Sequence, residues 1–340
     1  VRAMANQSAK FQHIGIVGGG AWGTALAAAA ACAGREVSLW AREEEVAASI
    51  AADRENKRFL PGVPLDPAIS ASTDKAALAA ADLVLLAAPA QHLRATARDF
   101  AEHLSPVAPV VVCAKGIELE SGALMSEAVR GALGADRPLA ILSGPTFAAE
   151  VARGQPSAIA LAAEAPALGE AIASALGSAT FRPYLSNDVA GAQIGGAAKN
   201  VMAIAAGIAI GRGLGENARA AIMTRGFAEM VRLARAKGAK LETLAGLSGL
   251  GDLVLTCTSL QSRNFSLGQA LGEGQPLCDI LAVRDSIAEG VASAPALVAL
   301  GEKLDVDLPI AGAVTDVLHH GADIGDTITA LMARPFRSEF

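Results

Sequence analysis

The fold is decided by one stretch near the amino terminus, residues 11–43, which reads FQHIGIVGGGAWGTALAAAAACAGREVSLWARE. A short apolar run at 14–17 predicts a strand, and the glycines after it predict a tight loop. The alanine-rich segment that stops before Gly34 predicts a helix, and 36–40 predicts a second strand. This order of strand, glycine loop, helix and strand predicts the first unit of a parallel sheet with helical crossovers.

The glycines of this loop have the spacing Gly18-x-Gly20-x-x-Gly23. In a loop of this kind the first glycine permits the tight turn, the second lets the backbone approach a pyrophosphate, and the third lets helix and strand pack closely. The free N–H groups and the positive dipole end of the following helix favour phosphate. The pattern predicts a dinucleotide site, the alternative being a glycine triplet that only makes a turn.

The residues after the second strand bear on which dinucleotide is bound. Here Arg42 comes first and Glu43 follows. A guanidinium can hold the 2′-phosphate of NADP, whereas a carboxylate accepts from the ribose 2′-hydroxyl of NAD. The sequence therefore predicts that NADPH is accepted and leaves NADH possible. An ordinary surface role for Arg42 also stays open.

The first half of the chain continues this alternation of strand and helix. Helical patterns at 93–103 and 124–133 separate further apolar runs that predict buried strands at 82–89, 109–116, 139–147 and 157–164. We therefore expect a doubly wound parallel sheet, in which ligands bind beyond the carboxyl ends of the strands. Four residues fall at such ends and are candidates for function, namely Lys115, Gly144, Pro145 and Thr146.

The second half of the chain is predicted to be helical. Strand-like runs stop after Asp188, and helical patterns follow at 189–210, 218–237, 250–258, 265–271, 294–304 and 310–319. The predicted fold is an α/β Rossmann domain over 11–187, followed by an all-helical domain over 188–336.

A lone ammonium stands in the most apolar of these helices, GAQIGGAAKNVMAIAAGIAIG at 191–211. Lys199 has only glycine, alanine and methionine three and four residues away, so its own helix offers it no carboxylate. A lysine there could extend to a helix end. If it is buried, it needs a partner from elsewhere or a lowered pKa, and either would suit proton transfer.

Polar partners are available in the string GLGDLVLTCTSLQSRN, residues 249–264. On a helix, Asp252 and Thr256 would share one face, although Asp252 could equally cap the helix after Gly251. The closing Ser-Arg-Asn offers an arginine beside two small hydrogen-bonding side chains, a set suited to phosphate or carboxylate. A surface turn is the alternative for these three residues.

Composition excludes several classes of protein. A net charge of −6 and a pI near 5.5 argue against nucleic-acid binding, which needs a basic face. The histidines and cysteines lack metal-ligand spacing, so no metal site is expected. Two apolar stretches imitate membrane elements, but glycines break the one at 14–33, and Lys199 would be costly within a bilayer. We expect a cytoplasmic chain without a membrane span.

The glycine loop, Lys115 and the strings SGPTFAAE (143–150), GGAAKNVMAIAAGI (195–208) and GLGDLVLTCTSLQSRN together resemble the bacterial NAD(P)-dependent glycerol-3-phosphate dehydrogenases. The resemblance extends from about Ile14 to His320. It implies interconversion of sn-glycerol 3-phosphate and dihydroxyacetone phosphate, supplying glycerol 3-phosphate for phospholipid synthesis. It also implies a homodimer, with the site in the cleft between a Rossmann domain and a helical domain.

The same resemblance implies roles for individual residues. Lys199 would protonate the C2 carbonyl oxygen as the nicotinamide delivers hydride to C2. The implied companions of Lys199 and the substrate hydroxyls are Lys115, Asn200, Asp252 and Thr256, the implied phosphate clamp is Ser262, Arg263 and Asn264, and the implied lining residues are Gly144 and Thr146. The implied contacts to NAD(P)H are Gly18, Gly20, Ala21, Trp22, Gly23, Arg42, Lys115, Ala148, Arg263, Ile287 and Glu289.

Two other functions compete with this one. A related two-domain 3-hydroxyacid dehydrogenase would also use a helical lysine beside an asparagine, but the Ser-Arg-Asn segment favours a phosphate ester. A non-catalytic NAD(P)-sensing protein would explain the glycines, yet it gives no role to Lys199 and Asp252. An interaction scaffold has no positive support in the sequence.

Overall fold

The computed structural model describes residues 10–283 and 288–335. Two compact units are formed. One contains the chain up to Lys115 together with Ala123–Gln193, and the other contains Gly116–Gly122 together with the chain from Ile194 onward.

The first unit is built on a sheet that has eight strands within the described residues. Its order is β3-β2-β1-β4-β5-β6-β7-β8. The strands are β1 His13–Val17, β2 Glu36–Trp40, β3 Ile69–Ser72, β4 Leu83–Leu86, β5 Val110–Val112, β6 Leu139–Ser143, β7 Ser157–Ala163 and β8 Phe181–Ser186. Its helices are α1 Ala21–Cys32, α2 Glu44–Asp53, α3 Leu93–Phe100, α4 Met125–Leu133, α5 Ala148–Ala152 and α6 Pro166–Leu176, with 3₁₀ turns at Lys75–Leu78 and Ala90–His92.

The predicted doubly wound parallel sheet is confirmed, apart from one antiparallel pair of strands. Strand β7 runs antiparallel to β6, while all other neighbouring strands are parallel. The connection from β6 to β7 carries only the five-residue helix α5, and the chain turns back along its neighbour instead of crossing a face of the sheet. The sheet is therefore a mostly parallel Rossmann sheet with one reversed junction.

Apolar strands and an alanine-rich helix make the core of this unit. Ile14, Ile16, Leu83 and Leu85 are fully buried. Such continuous burial is typical of parallel strands that have both faces covered. Eight residues of α1 are buried, and because five of them are alanine the helix can lie close to the sheet. This close approach places the amino end of α1 beside the carboxyl end of β1.

The second unit is helical, as predicted. Helix α7, Val189–Gly211, begins at the end of the first unit and continues into the second. The helices that follow are α8 Gly215–Ala236, α9 Leu241–Ala245, α10 Asp252–Thr258, α11 Arg263–Gly272, α12 Leu277–Ala282, α13 Glu289–Lys303, α14 Pro309–His319 and α15 Ile324–Met332, with a π-helical turn at Leu247–Gly251.

Helix α7 is long and apolar enough to cross a membrane, yet it is a core helix. In its most apolar 18-residue window, 89% of the residues are buried inside the protein. The prediction that this helix is buried within the protein is confirmed.

Glycines bring α7 and α11 into backbone contact. A Cβ atom at Gly207 would fall on the carbonyl oxygen of Phe265, and one at Gly268 would fall on the carbonyl oxygen of Ile204. Gly211 and Gly272 repeat this arrangement one turn further along. Because backbone cannot move aside as a flexible side chain can, these glycines set how closely the two helices approach.

We expect Gly268→Ala to destabilise the protein by about 1–3 kcal/mol, the usual cost of forcing extra volume into a packed core. Gly312→Ala is the matched control, because Gly312 lies inside α14 and nothing lies within 4 Å of the position of its Cβ. That control should stabilise the protein by up to about 1 kcal/mol through helix propensity. Urea denaturation measures both changes, and an equal response at the two positions would contradict the packing argument.

A buried carboxyl group ties α8 to α14. Glu229 is 1% exposed. Its two oxygens accept hydrogen bonds from the N–H groups of Ile310, at 2.7 Å, and Ala311, at 3.2 Å. Burial raises the pKa of Glu229 to about 7, although these two N–H groups and Arg232 oppose the shift. The carboxyl group therefore holds its proton longer in the folded chain than in the unfolded chain.

Between the ordinary pKa of 4.5 and the folded value of about 7, the folded state binds more protons at Glu229, so its contribution to stability falls as the pH rises. At about 1.4 kcal/mol per pKa unit, the loss is about 3 kcal/mol across this window. In Glu229→Gln, we expect the free energy of unfolding no longer to decrease over this pH range because of residue 229. A variant that keeps the wild-type slope would show that Glu229 does not titrate there.

Candidate active site

The glycine loop of the first unit has the geometry of a phosphate-binding turn. Gly18 has a φ of +121°, a value that side chains disfavour. A Cβ at Gly23 would strike the carbonyl oxygen of Gly18, whereas one at Gly20 would meet nothing within 4 Å. Helix α1 starts directly after Gly20, and no side chain caps it. Open space at Gly20 and an uncapped helix start fit the pyrophosphate of a dinucleotide.

Two side chains beside the loop matter for such a ligand. The indole Nε1 of Trp22 is buried and has no hydrogen-bond partner within the described residues. An orphaned donor of this kind, on the first turn of α1 with Ala21, fits a phosphate oxygen as its acceptor. Asn56, fully buried, donates from Nδ2 to the carbonyl oxygen of Gly19 and to Oγ1 of Thr24, both at 2.8 Å. Asn56 braces the loop, and no motif in the sequence indicated it.

The two residues that are predicted to distinguish NADP from NAD lie just after β2, and their side chains contact each other. The guanidinium of Arg42 donates to Oε1 of Glu43 from Nη2 at 2.8 Å and from Nε at 3.1 Å. The side chain of Arg42 is 80% exposed. The exposed guanidinium is thus already balanced by the neighbouring carboxylate, which is partly buried.

The predicted residues at the strand ends come together beyond β5 and β6. Nζ of Lys115 donates to the carbonyl oxygen of Gly144 at 2.8 Å, and Oγ1 of Thr146 donates to the same oxygen at 3.2 Å. A Cβ at Gly144 would lie 3.1 Å from Cα of Ile159 in β7, a tight contact that favours glycine there. Ala148 starts α5 directly after this loop. The carboxyl edge of the sheet therefore carries a cation and a hydroxyl side by side.

The ammonium of α7 has its expected partner in the second unit. Nζ of Lys199 donates to Oδ1 of Asp252 at 2.7 Å and to Oγ1 of Thr256 at 2.8 Å. Exposure is 7% for Lys199, 0% for Asp252 and 3% for Thr256. Within the described residues this is a buried ion pair with a hydroxyl as its third member, in surroundings that strengthen electrostatic interactions.

The alternative that Asp252 caps a helix is wrong. Gly251, the residue before it, has helical angles of φ −59° and ψ −48°, because the π-helical turn runs directly into α10. This turn contacts α7 at Gly195, where a Cβ would fall on the carbonyl oxygen of Ser248 and lie 3.0 Å from Cα of Gly249. Small residues thus allow the close approach that brings Asp252 to Lys199.

The Ser-Arg-Asn segment begins α11 and is not a surface turn. Ser262 caps this helix by accepting a hydrogen bond from the N–H of Phe265 at 3.2 Å, and it is 4% exposed. Nδ2 of Asn264 donates to Oδ1 of Asn200 at 3.0 Å, while Oδ1 of Asn264 accepts from the N–H of Gly290 at 2.9 Å. These bonds join α7, α11 and α13 around buried amides.

Arg263 is the charged member of this segment. Arg263 is exposed, yet neighbouring protein atoms partly desolvate its guanidinium and lower its pKa, an effect that Glu289 partly offsets. Glu289 begins α13. Ile287, a predicted cofactor contact, lies outside the described residues. A guanidinium in this setting is suited to a dianionic group.

The second unit thus gathers most of the predicted substrate residues: Lys199, Asn200, Asp252, Thr256, Ser262, Arg263 and Asn264. The first unit gathers the glycine loop and, separately, Lys115 with Gly144 and Thr146. Within residues 10–283 and 288–335, no group of three or more histidine, cysteine, aspartate or glutamate side chains could hold a metal ion.

Comparisons with known proteins agree with this division. Family models described as the N-terminus and the C-terminus of NAD-dependent glycerol-3-phosphate dehydrogenase match residues 13–169 and 188–329. A glycerol-3-phosphate dehydrogenase [NAD(P)+] of Rhodospirillum rubrum is 56% identical over 96% of this chain and 94% of its own length. One of Caulobacter vibrioides is 55% identical over 97% of this chain and 99% of its own length.

A solved structure agrees as well. The crystal structure of glycerol-3-phosphate dehydrogenase from Coxiella burnetii superposes with a TM-score of 0.91 at 36% identity, over 95% of this chain and 99% of the other. The chain therefore belongs to the NAD(P)-dependent glycerol-3-phosphate dehydrogenase family.

Proposed function

We propose that Lys199 is the acid–base residue with which this enzyme interconverts sn-glycerol 3-phosphate and dihydroxyacetone phosphate. One observation carries the proposal: an ammonium that is 7% exposed is held by Asp252 and Thr256 in the second unit. A purely structural pair would not need to be ionic, because apolar replacements of a buried ion pair are often equally stable. A proton donor does need the charge.

The chemistry requires a proton where a ketone becomes an alcohol. When bound, NAD(P)H supplies the hydride. Lys199 then protonates the C2 oxygen, and in reverse it accepts the hydroxyl proton. Asp252 and Thr256 orient Nζ, and the negative charge of Asp252 stabilises the ammonium before transfer. Asn200 and Asn264, fixed by their mutual hydrogen bond, are proposed to orient the substrate hydroxyls and phosphate.

The remaining site residues bind the two ends of the reactants. We assign the substrate phosphate to Arg263 with Ser262 and Asn264, because a guanidinium fork and small polar groups match its oxygens. Lys115, Gly144 and Thr146 are assigned to the contacts that the first unit makes with the substrate. The residues proposed to hold the dinucleotide are Gly18, Gly20, Ala21, Trp22, Gly23, Arg42, Lys115, Ala148, Arg263 and Glu289.

Three broader proposals rest on the family resemblance. The product supplies the glycerol backbone of phospholipids, the enzyme acts in the cytoplasm, and it works as a homodimer without nucleic-acid or integral membrane partners. The net charge of −6 supports the absence of nucleic acid. Light scattering after size-exclusion chromatography tests the dimer.

Steady-state kinetics test the activity. Oxidation of NADPH and of NADH is followed with dihydroxyacetone phosphate as substrate, and the reverse reaction with sn-glycerol 3-phosphate. We expect turnover in both directions. Turnover with a 3-hydroxyacid and none with the phosphate ester would instead favour the related dehydrogenase, and dinucleotide binding without any turnover would favour a sensor.

We expect Arg42→Ala to raise the KM for NADPH by about tenfold, the value of one charge-assisted hydrogen bond to phosphate. The KM for NADH should stay nearly unchanged. Glu43→Gln is the matched control in the opposite direction, because it releases Arg42 from its pair and should lower the KM for NADPH. Equal changes for both cofactors in Arg42→Ala would mean that Arg42 does not read the 2′-phosphate.

A further inference from the structure

A groove lies at the edge of the sheet opposite the glycine loop. Its volume is about 870 Å³, and every residue that lines it belongs to the first unit. The lining segments come before β1, β4, β5 and β6, and directly after the reversed strand β7. The glycine loop follows the carboxyl end of β1, so this groove sits at the other end of the same strands. A volume of this size is in the range of small-molecule sites.

An unpaired guanidinium points to a ligand for this groove. Arg137 is 9% exposed and lines the groove. Its Nη1 donates to the carbonyl oxygen of Ser105 at 2.9 Å, while its buried Nε has no hydrogen-bond partner among the residues that the structure describes. No carboxylate within the described residues forms an ion pair with Arg137, and burial lowers its pKa. A buried cation without a counter-charge is costly, and the cost falls when an anion is bound.

The other charges of the groove leave Arg137 without compensation. Nη2 of Arg130 pairs with Glu164 at 2.9 Å, and Nε of Arg130 is a second buried donor for which residues 10–283 and 288–335 offer no acceptor. The carboxylate of Asp82 accepts hydrogen bonds from the N–H groups of Gln12 and His13. Asp136 also lines the groove, but it is exposed, and within the described residues neither it, Asp82 nor Glu164 forms an ion pair with Arg137.

Apolar surface lies beside these guanidinium groups. Val107 is 80% exposed and lines the groove with Leu168 and a series of alanines. An inorganic ion bound to Arg137 would leave this apolar surface exposed to water. The combination of guanidinium edges and an apolar wall is that of a site for an organic anion.

We propose that this groove binds an organic oxyanion, a carboxylate or phosphate monoester, whose charged group pairs with Arg137 and whose short apolar body contacts Val107 and Leu168. The planar guanidinium fork of Arg137 suits both head groups equally. The site is independent of the catalytic chemistry, since none of its residues belongs to the proposed active site.

The test uses the full-length protein labelled with ¹⁵N at arginine Nε and ¹³C at valine and leucine methyl groups. Butyrate, butyl phosphate and inorganic phosphate are titrated separately, and the Arg137→Met spectrum assigns the Arg137 resonance. We expect saturable shifts of the Arg137 Nε–H signal and of the Val107 and Leu168 methyl signals with one or both organic anions. The head group that binds more tightly identifies the ligand class.

In the Arg137→Met variant, the anion concentration that gives half-maximal methyl shifts should rise by about ten- to hundredfold, the value of a charged hydrogen bond. Arg98→Met, which removes an exposed arginine of α3 outside the groove, should leave this concentration unchanged. Unchanged turnover in both variants verifies that they are folded. An unresponsive Arg137 signal would overturn the proposal, as would equal affinity for inorganic and butyl phosphate without methyl shifts.

Discussion

Replacing Lys199 by alanine is expected to lower kcat for dihydroxyacetone phosphate reduction by about a hundredfold or more, the scale of a lost general acid. The dissociation constant of NADPH should not change, because the proposed dinucleotide contacts do not include Lys199. Single-turnover absorbance measurements give the rate of the chemical step, and fluorescence titration gives NADPH affinity.

The variant also leaves Asp252 buried without its cation, which costs about 3–5 kcal/mol in proteins. The double variant Lys199→Met with Asp252→Asn separates the two effects, because it removes both charges of a pair whose exposures are 7% and 0%. We expect it to regain stability but not turnover. Recovered turnover in the double variant would show that Lys199 serves only to neutralise Asp252.

The second large effect is expected at Arg263. Arg263→Ala should lower kcat/KM for dihydroxyacetone phosphate by about a hundredfold, because a fixed charged fork for the phosphate is lost. At saturating NADPH, which removes the effect of the proposed dinucleotide contact of Arg263, the same variant should change kcat/KM for dihydroxyacetone, which has no phosphate, much less. Since binding of a remote phosphate also positions C2, kcat should fall together with substrate affinity.

Two controls accompany this prediction. Arg263→Lys keeps the charge but not the planar fork, so it should recover only part of the loss. Arg235→Ala removes an exposed arginine from α8 of the same unit and should leave both substrates unaffected. Equal losses for the phosphorylated and unphosphorylated substrates would argue against a phosphate clamp at Arg263.

The sequence predicted the parts of the fold that depend on local chemistry. Strand β1, the glycine loop and helix α1 follow from residues within one short stretch, and the φ of Gly18 is what the motif requires. Burial of α7 followed from its near-absence of charge. The partnership of Lys199 with Asp252 followed from a simple accounting of charge, because no carboxylate lay within one turn of Lys199 on its own helix.

What the sequence did not predict depends on distant contacts. Strands β3 and β8 were missed, because edge strands are partly polar, and β8 even contains Pro183. The reversal of β7 depends on a connection whose path has no local signal. Asn56 acts across 37 residues of sequence, on Gly19, so only the folded chain reveals it. Likewise, only the folded chain reveals that Arg137 has no carboxylate partner within the described residues.

Chemical rescue tests the proton-transfer role of Lys199 most directly. In Lys199→Ala, small primary amines such as methylamine are added during dihydroxyacetone phosphate reduction, with trimethylamine and salt of equal ionic strength as controls. The account predicts a saturable rise in kcat with the primary amine and none with the controls, because only the primary amine fits and replaces the missing donor. A variant that turns over at the wild-type rate without any amine would contradict it.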